Sequence, residues 1–144
     1  MISVDKDLIG PWIAKELDMV WTPENSSTIG WIENGEIVNG VWYEDFNGKS
    51  VTCHIVLKKP LNRRYLAIIF DYPFIQLGVS KIIGPVKSNN QKAIDFDKKL
   101  GFKEEARLLD AFPDSDLIFF VMNKEDCRFL GERYGQVRCN PTNT

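Results

Sequence analysis

The spacing of apolar and polar residues changes along the chain, and each change predicts a different element. Residues 5 to 18 carry apolar side chains at helical spacing with acids before the first turn, which predicts a short amphipathic helix. Pro11 is expected in its first turn, where a missing N–H group does no harm. Thr28–Glu33 and Glu36–Phe46 are rich in β-branched and aromatic residues, so we expect two strands there.

Two Asn-Gly dipeptides, at 34–35 and 47–48, join these strands to each other and to a third at Ser50–Leu57. Asn-Gly supplies the positive φ angles of a tight hairpin turn, so the three strands are predicted to form an antiparallel meander. Because side chains alternate along a strand, the neighbours Cys53 and His54 are expected on opposite faces of the sheet.

The second half of the chain alternates helical and strand patterns. After Pro60 the apolar spacing is helical up to Gly78, with Pro73 expected to kink or end the last turn. Val79–Val86 is short and β-branched, as is typical of a buried strand entered from a crossover helix. A helix, two strands and a short final helix are predicted next, at Asn89 or Asn90 to Leu100, Phe102–Phe112, Leu117–Met122 and Lys124 to about Leu130.

This order of elements predicts the α/β (α+β) class. One mixed sheet would contain an antiparallel meander, a helix-strand-helix unit and a C-terminal strand pair. A chain of 144 residues suits a single domain, which we expect over residues 1–130, followed by a loosely ordered tail over residues 131–144. The sequence shows neither a long apolar span nor a basic, apolar leader, which predicts a cytoplasmic protein.

Charge is unevenly distributed along this nearly neutral chain. The formal net charge is −2, which argues against a strongly basic nucleic-acid-binding protein. Between Phe46 and Ile94, however, eight lysines and arginines accompany a single acid, Asp71. This segment either faces an anionic ligand or is neutralised by acids from its flanks. Nucleic-acid binding through it, with Trp31 or Trp42 as stacking platforms, stays an alternative.

The cysteines and the histidine limit the chemistry. Cys53, Cys127 and Cys139 are odd in number and form no C-x-x-C motif, so neither a disulfide framework nor a zinc ribbon is indicated. His54 is the only histidine, and we predict no metal site. Cys127 as a nucleophile with His54 as its base stays an alternative, although a buried free cysteine usually behaves as a small hydrophobe.

A sequence signature lies in the second half of the chain. Asn90–Phe102 contains the pattern N-x-x-A followed by K-L-G-F. The pattern resembles the helix and strand signature of the GNAT superfamily of acyl-CoA-dependent N-acyltransferases. Four further segments resemble a subgroup of small GNAT-like proteins common in bacteriophage genomes, namely Arg63–Leu66, Asp71–Val79, Gly101–Asp110 and Asp126–Leu130. Taken together with the order of elements, the resemblance covers about residues 27 to 130 and implies the GNAT fold.

The resemblance implies an N-acetyltransferase that moves acetyl from acetyl-CoA to a primary amine by direct attack. Acetyl-CoA, the co-substrate, is then expected between the fourth and fifth strands, here Ser50–Leu57 and Ile82–Val86, where it pairs with backbone groups as an extra strand would. Ile55, Val56 and Leu57 become cofactor-binding candidates. The acceptor is unidentified, nucleic acid is not expected as a partner, and a homodimer through strands near the C-terminus is a further hypothesis.

The phosphate-binding turn departs from the family pattern. The family has a glycine-rich R/Q-x-x-G-x-G/A turn before the crossover helix, whereas Leu61–Leu66 contains no glycine. Lys58, Lys59, Arg63 and Arg64 surround the same helix end. We therefore expect these cations to bind the phosphates of coenzyme A in place of backbone N–H groups. The alternative is a solvated basic helix start.

A second departure concerns the proton donor. Many family members have a tyrosine seven residues after the motif asparagine, proposed to protonate the leaving thiolate, and Asp97 stands there in this chain. An ordinary aspartate is ionised at neutral pH and needs burial to act as an acid. Because Lys98 and Lys99 flank it, a solvated helix residue is the favoured interpretation.

His54 on the fourth strand is the candidate general base for the acceptor ammonium, because imidazole titrates near neutral pH. A structural role is the alternative for a lone strand histidine. Glu44 and Glu36, on the neighbouring strand, are weaker candidates.

Two residues of the signature helix have double interpretations. Asn90 is expected as a helix cap and Phe96 as a core residue, and the resemblance also places both among the cofactor-binding candidates. The missing glycines and the missing tyrosine leave a catalytically silent GNAT-fold binding or structural module as the main alternative function.

Overall fold

The computed structural model describes residues 1–131 and Pro141, so most of the tail predicted over residues 131–144 lies outside the described residues. The described elements are β1 (Ile2–Ser3), α1 (Lys6–Leu17), β2 (Ser27–Glu33), β3 (Glu36–Glu44), β4 (Ser50–Leu57), α2 (Arg63–Asp71), β5 (Lys81–Lys87), α3 (Gln91–Leu100), β6 (Lys103–Phe112) and β7 (Ser115–Asn123).

The strands form one sheet in the order β1-β2-β3-β4-β5-β7-β6. All neighbours pair antiparallel except β4 and β5, which pair parallel. The predicted meander is confirmed, with Asn34 and Gly35 at φ 52° and 78° in its first turn. The mixed α/β architecture predicted from the sequence is therefore confirmed.

Caps explain where the helices begin and end. The Asp5 carboxylate accepts the Asp7 N–H at 3.1 Å and begins α1. Asn90, rather than Asn89, begins α3 by accepting the Ala93 N–H, and Gly101 ends it at φ 108°. Pro11 lies inside α1 rather than in its first turn, because the helix already begins at Lys6.

The crossover helix ends in two stages. Asn62 caps α2 by accepting the Tyr65 N–H at 2.8 Å. After Asp71 the chain continues as one π-helical turn, Tyr72–Gln76, which contains Pro73. A proline cannot donate the hydrogen bond of a regular α-helix, so the predicted disruption at Pro73 is confirmed.

Apolar side chains pack on both faces of the sheet. The face carrying α2 holds the larger cluster, which includes Val41, Val51, Ile68 and Phe70. The other face holds α1, packed against β2, β3 and β4. A Cβ atom added at Gly30 would lie 2.4 Å from Cδ1 of Ile9, so this glycine lets α1 approach the sheet closely.

The predicted final helix over 124 to about 130 is wrong. The structure has a single 3-10 turn at Lys124–Asp126. Arg128 then donates to the backbone oxygens of Lys99 and Leu100, at 2.6 and 2.9 Å, and Phe129 stacks on Phe70 in the core. These contacts replace helix formation because they satisfy the terminal carbonyls of α3 and bury an aromatic ring. No helix within the described residues is long and apolar enough to cross a membrane.

Candidate functional site

A cleft opens where β4 and β5 separate. The two strands pair only from Ser50–Thr52 to Lys81–Ile83, although each continues beyond that point. The separation leaves backbone groups of both strands facing a cavity of 380 Å³. Its lining comes from β3, β4, α2, β5, α3, the end of α1 and the β6–β7 hairpin. The lining residues include Leu17, Asp18, Met19, Val41, Cys53, His54, Ile55, Ile69, Phe70, Gly84, Pro85, Lys87, Asn90, Ala93, Asp97, Phe112 and Leu117.

The cleft has two walls on opposite faces of the sheet. Cys53 and Ile55 pack with the cluster under α2, whereas Val56 packs with the cluster under α1. Because His54 alternates with Cys53 and Ile55, it belongs to the α1 face. Its ring also lies 5.0 Å from that of Trp42, a member of the α1 cluster. The predicted separation of Cys53 and His54 is therefore confirmed.

Asp97 is buried, which corrects the expectation of a solvated helix residue. Only 7% of the residue is exposed, whereas Lys98 and Lys99 are exposed. Within the described residues no hydrogen bond reaches its carboxylate, and burial raises its pKa to about 7. Its Oδ2 lies 3.8 Å from the place where a Cβ on Gly84 would stand, so the carboxyl group faces β5. At neutral pH the group is partly protonated and able to donate.

His54 is held by Glu44. The distance from Nε2 of His54 to Oε2 of Glu44 is 2.5 Å, and the two side chains are 9% and 20% exposed. This bond fixes the ring between the cleft and a second cavity of 300 Å³ that Glu44 borders. Glu36 lies exposed at the β2–β3 turn and is not part of the cleft lining.

The two described cysteines are poor nucleophiles. Burial raises the pKa of the Cys53 thiol, and the charge of Asp97 raises it further. Burial also raises the pKa of the Cys127 thiol to about 11, and this residue packs against the main core. A Cys127–His54 pair gains no support, because His54 lines the cleft on the α1 face whereas Cys127 packs against the cluster under α2 and is not part of the cleft lining. Cys139 lies outside the described residues.

The cofactor-binding candidates are distributed around the cleft. Ile55 and Asn90 line it. Val56 packs under α1, and Phe96 is half-buried against the main core, which fits its alternative interpretation as a core residue. Leu57 is the last residue of β4, beyond the paired part of the strand.

The basic candidates lie around the start of α2. Arg63 and Arg64 occupy its first turn and are exposed, but they are not part of the cleft lining. Lys58 pairs with Glu16 at 2.6 Å. Two further lysines of the basic segment also pair with acids from its flanks, Lys59 with Glu33 and Lys81 with Glu105. The alternative that flanking acids neutralise the segment therefore holds for three of its cations.

Sequence reasoning missed several residues of the cleft. Met19, Gly84, Phe112 and Leu117 come from three separate parts of the chain and meet only in the folded molecule. Asp97 was named as a candidate but expected in solvent, although its helical spacing from Ala93 and Leu100, which both line the cleft, carried a usable signal. Within the described residues no group of three or more His, Cys, Asp or Glu side chains is placed to hold a metal ion.

The comparisons identify the fold. No family model matches the sequence, and no curated protein matches it. Mutant forms of the spermidine/spermine N-acetyltransferase SpeG from Vibrio cholerae superpose with a TM-score of 0.70 at 15% identity, covering 87% of this chain and 95% of that one. The N-acetyltransferase PseH from Campylobacter jejuni, in complex with acetyl coenzyme A, gives 0.60 at 15% identity, covering 86% and 99%. The chain therefore has the fold of these acetyltransferases, which is the expected GNAT fold.

Proposed function

We propose that the protein is a GNAT-type N-acetyltransferase that transfers acetyl from acetyl-CoA to a primary amine by direct attack. The observation that carries this proposal is the cleft between β4 and β5, with Asp97 on one wall and His54 on the other. A fold alone does not dictate activity, but a proton donor and a proton acceptor facing one cavity from opposite sides suit acyl transfer.

The cleft fits the pantetheine arm of acetyl-CoA. The unpaired edges of β4 and β5 offer backbone donors and acceptors beyond Thr52, along Ile55, Val56 and Leu57. The phosphates would then lie at the start of α2, where Arg63 and Arg64 project and the helix dipole favours an anion. The acetyl-CoA complex of the neighbour PseH supports this choice of co-substrate.

Two of the proton transfers have a residue to carry them. His54 accepts a proton from the acceptor ammonium, and its bond to Glu44 orients the ring and stabilises the imidazolium that forms. The neutral amine nitrogen attacks the acetyl carbonyl carbon and the carbon–sulfur bond breaks. The nitrogen releases its second proton to solvent as the amide forms. Asp97 gives its proton to the departing sulfur, so coenzyme A leaves as a thiol. No covalent enzyme intermediate is required.

Calorimetric titration with acetyl-CoA and a thiol-release assay with a panel of primary amines test the proposal. We expect saturable binding at micromolar levels or tighter and release of thiol that depends on the amine. A catalytically silent GNAT-fold module would bind without turnover, or not bind. Binding of single-stranded oligonucleotides that weakens steeply with salt would instead favour the nucleic-acid alternative.

The proposal also covers the source of the protein, its location and its oligomeric state. The segments Gly101–Asp110 and Asp126–Leu130 support a bacteriophage-encoded protein acting in the bacterial cytoplasm. A solved form of the neighbour spermidine N-acetyltransferase from Vibrio cholerae is dodecameric, and we propose a homodimer or larger assembly here as well. Light scattering of the full chain measures its mass directly.

A further inference from the structure

Four apolar residues of the cleft lining come from two distant parts of the chain. Leu17 and Met19 lie at the end of α1. Phe112 and Leu117 lie in the β6–β7 hairpin. We call these four residues the apolar mouth.

Register and ring contacts place the hairpin side of the apolar mouth on the same face as His54. Lys87 lies directly opposite Leu117 in the β5–β7 pair, and directly opposed residues share a face. The Lys87 ammonium lies 4.6 Å from the centre of the Phe112 ring, so Phe112 shares that face too. Ile118, the neighbour of Leu117, packs in the opposite cluster with α2, which agrees with strand alternation.

Two charged side chains accompany the apolar mouth. Asp18, the C-cap of α1, and Lys87 both line the cleft and are exposed. The cation of Lys87 repels a second positive charge on a ligand, and a single carboxylate at Asp18 offers one ammonium a partner. This arrangement disfavours a ligand that carries several cations.

We propose that the acceptor is a small primary amine attached to an apolar body, such as an arylalkylamine or alkylamine, whose body packs in the apolar mouth while its nitrogen points to His54. This inference rests on the proposed function and narrows its substrate class. Apolar walls favour burial of the body. They also disfavour the ammonium form of the amine and so favour the neutral nucleophile that attacks the thioester.

Competition between matched amines tests the inference. We compare kcat/KM for 2-phenylethylamine and hexylamine with that for putrescine and spermidine, at constant acetyl-CoA. The apolar amines are expected to be preferred by at least about tenfold, the size of effect that a few apolar groups give in a pocket. Calorimetric titration of 2-phenylethylamine into the protein with coenzyme A present reports binding without turnover.

Variants of residues in the cleft lining test which side chains bind the amine. Met19→Ser and Phe112→Ser are each expected to raise KM for 2-phenylethylamine about fivefold or more, with the acetyl-CoA dissociation constant unchanged. Leu109→Ser is the matched control, because Leu109 is 68% exposed and lies outside the cleft lining. Lys87→Gln is expected to improve kcat/KM for putrescine more than for hexylamine.

The outcomes separate the two proposals. Equal or better use of putrescine or spermidine, with acetyl-CoA bound, overturns the apolar-amine inference and leaves the acetyltransferase standing. Unchanged KM values in Met19→Ser and Phe112→Ser overturn it as well. Failure to bind acetyl-CoA, together with no acetylation of any amine, overturns the proposed function and this inference with it.

Discussion

At the scale of the residue, Asp97 shows how burial changes the chemistry of a side chain. Two flanking lysines suggested a solvated carboxylate, yet both lysines face water and Asp97 faces the cleft. The helical period explains the difference, since neighbours in sequence lie about 100° apart around the helix axis. A carboxyl group in the position of the family tyrosine thus gains the raised pKa that a proton donor at neutral pH needs.

Replacing Asp97 should lower kcat and remove the dependence of kcat on alkaline pH. The wild-type carboxyl group loses its proton as the pH rises through about 7, so we expect kcat to fall on the alkaline side of that value. Asp97→Asn should lower kcat by about 10²-fold and abolish the alkaline fall. A pH profile of kcat from pH 6 to 9 measures both effects, and a variant that keeps the wild-type profile would exclude Asp97 as the donor.

Glu44 is predicted to act as a positioning residue through His54. Glu44→Gln keeps the size of the side chain but removes the charge that stabilises the imidazolium, so we expect kcat to fall about tenfold or more. The KM for acetyl-CoA should change little, because Glu44 acts through His54 and not on the cofactor. Glu36→Gln, on the same strand but exposed at its turn, is the control and should behave as wild type. Equal loss in both variants would contradict the assignment.

At the scale of the element, local signals were strong where one short segment decides the outcome. Ser50–Leu57 was predicted with its observed bounds, because Asn-Gly precedes it and apolar residues alternate along it. The final helix was wrong because Arg128 and Phe129 bond and pack with distant parts of the chain, which a local pattern does not contain. The divergence of β4 from β5 was implied by family resemblance alone, since no residue type encodes where parallel pairing stops.

The start of α2 carries a prediction about phosphate binding. The double variant Arg63→Gln, Arg64→Gln should weaken acetyl-CoA binding about tenfold and reduce its dependence on salt, because two cations near the phosphates are lost. Binding of S-acetylpantetheine, which lacks the diphosphate and the nucleotide, should be unaffected. Calorimetry at two salt concentrations measures these differences.

A matched control separates local contacts from net charge. Lys98→Gln with Lys99→Gln removes two exposed cations from the end of α3 and should leave acetyl-CoA binding unchanged. Equal weakening in both double variants would show that only overall charge matters, and that Arg63 and Arg64 do not bind the phosphates.

At the scale of the whole molecule, the two faces of one sheet carry different groups of the proposed active site. The α2 and α3 side contributes the acid, and the α1 side contributes the base and the apolar mouth. The class, the strand order of the meander and the crossover followed from sequence patterns, whereas the lining of the cleft depended on residues separated by up to about 100 positions. Such contacts are set by tertiary packing, so the sequence motifs located helix α3 but not the other residues that line the cleft.

Stability should therefore fall as the pH rises, because folding holds Asp97 in its neutral form. The folded pKa of about 7 lies above the ordinary value of 3.8, so between these values the unfolded chain releases a proton that the folded protein keeps bound. The free energy of unfolding contributed by this group is fully present below about pH 4 and is lost progressively up to about pH 7. The total loss is at most about 4 kcal/mol, from about 1.4 kcal/mol per pKa unit.

Asp97→Asn should remove this dependence and be more stable than wild type at pH 8, while differing little from it at pH 4. Urea unfolding at pH 4, 6 and 8 measures the slope, with Asp95→Asn as the control on the same helix, because Asp95 is exposed. Wild type and Asp95→Asn should share the downward slope that Asp97→Asn lacks. Parallel slopes in all three proteins would mean that Asp97 is ionised in the folded molecule throughout this range and cannot serve as the proton donor of the cleft.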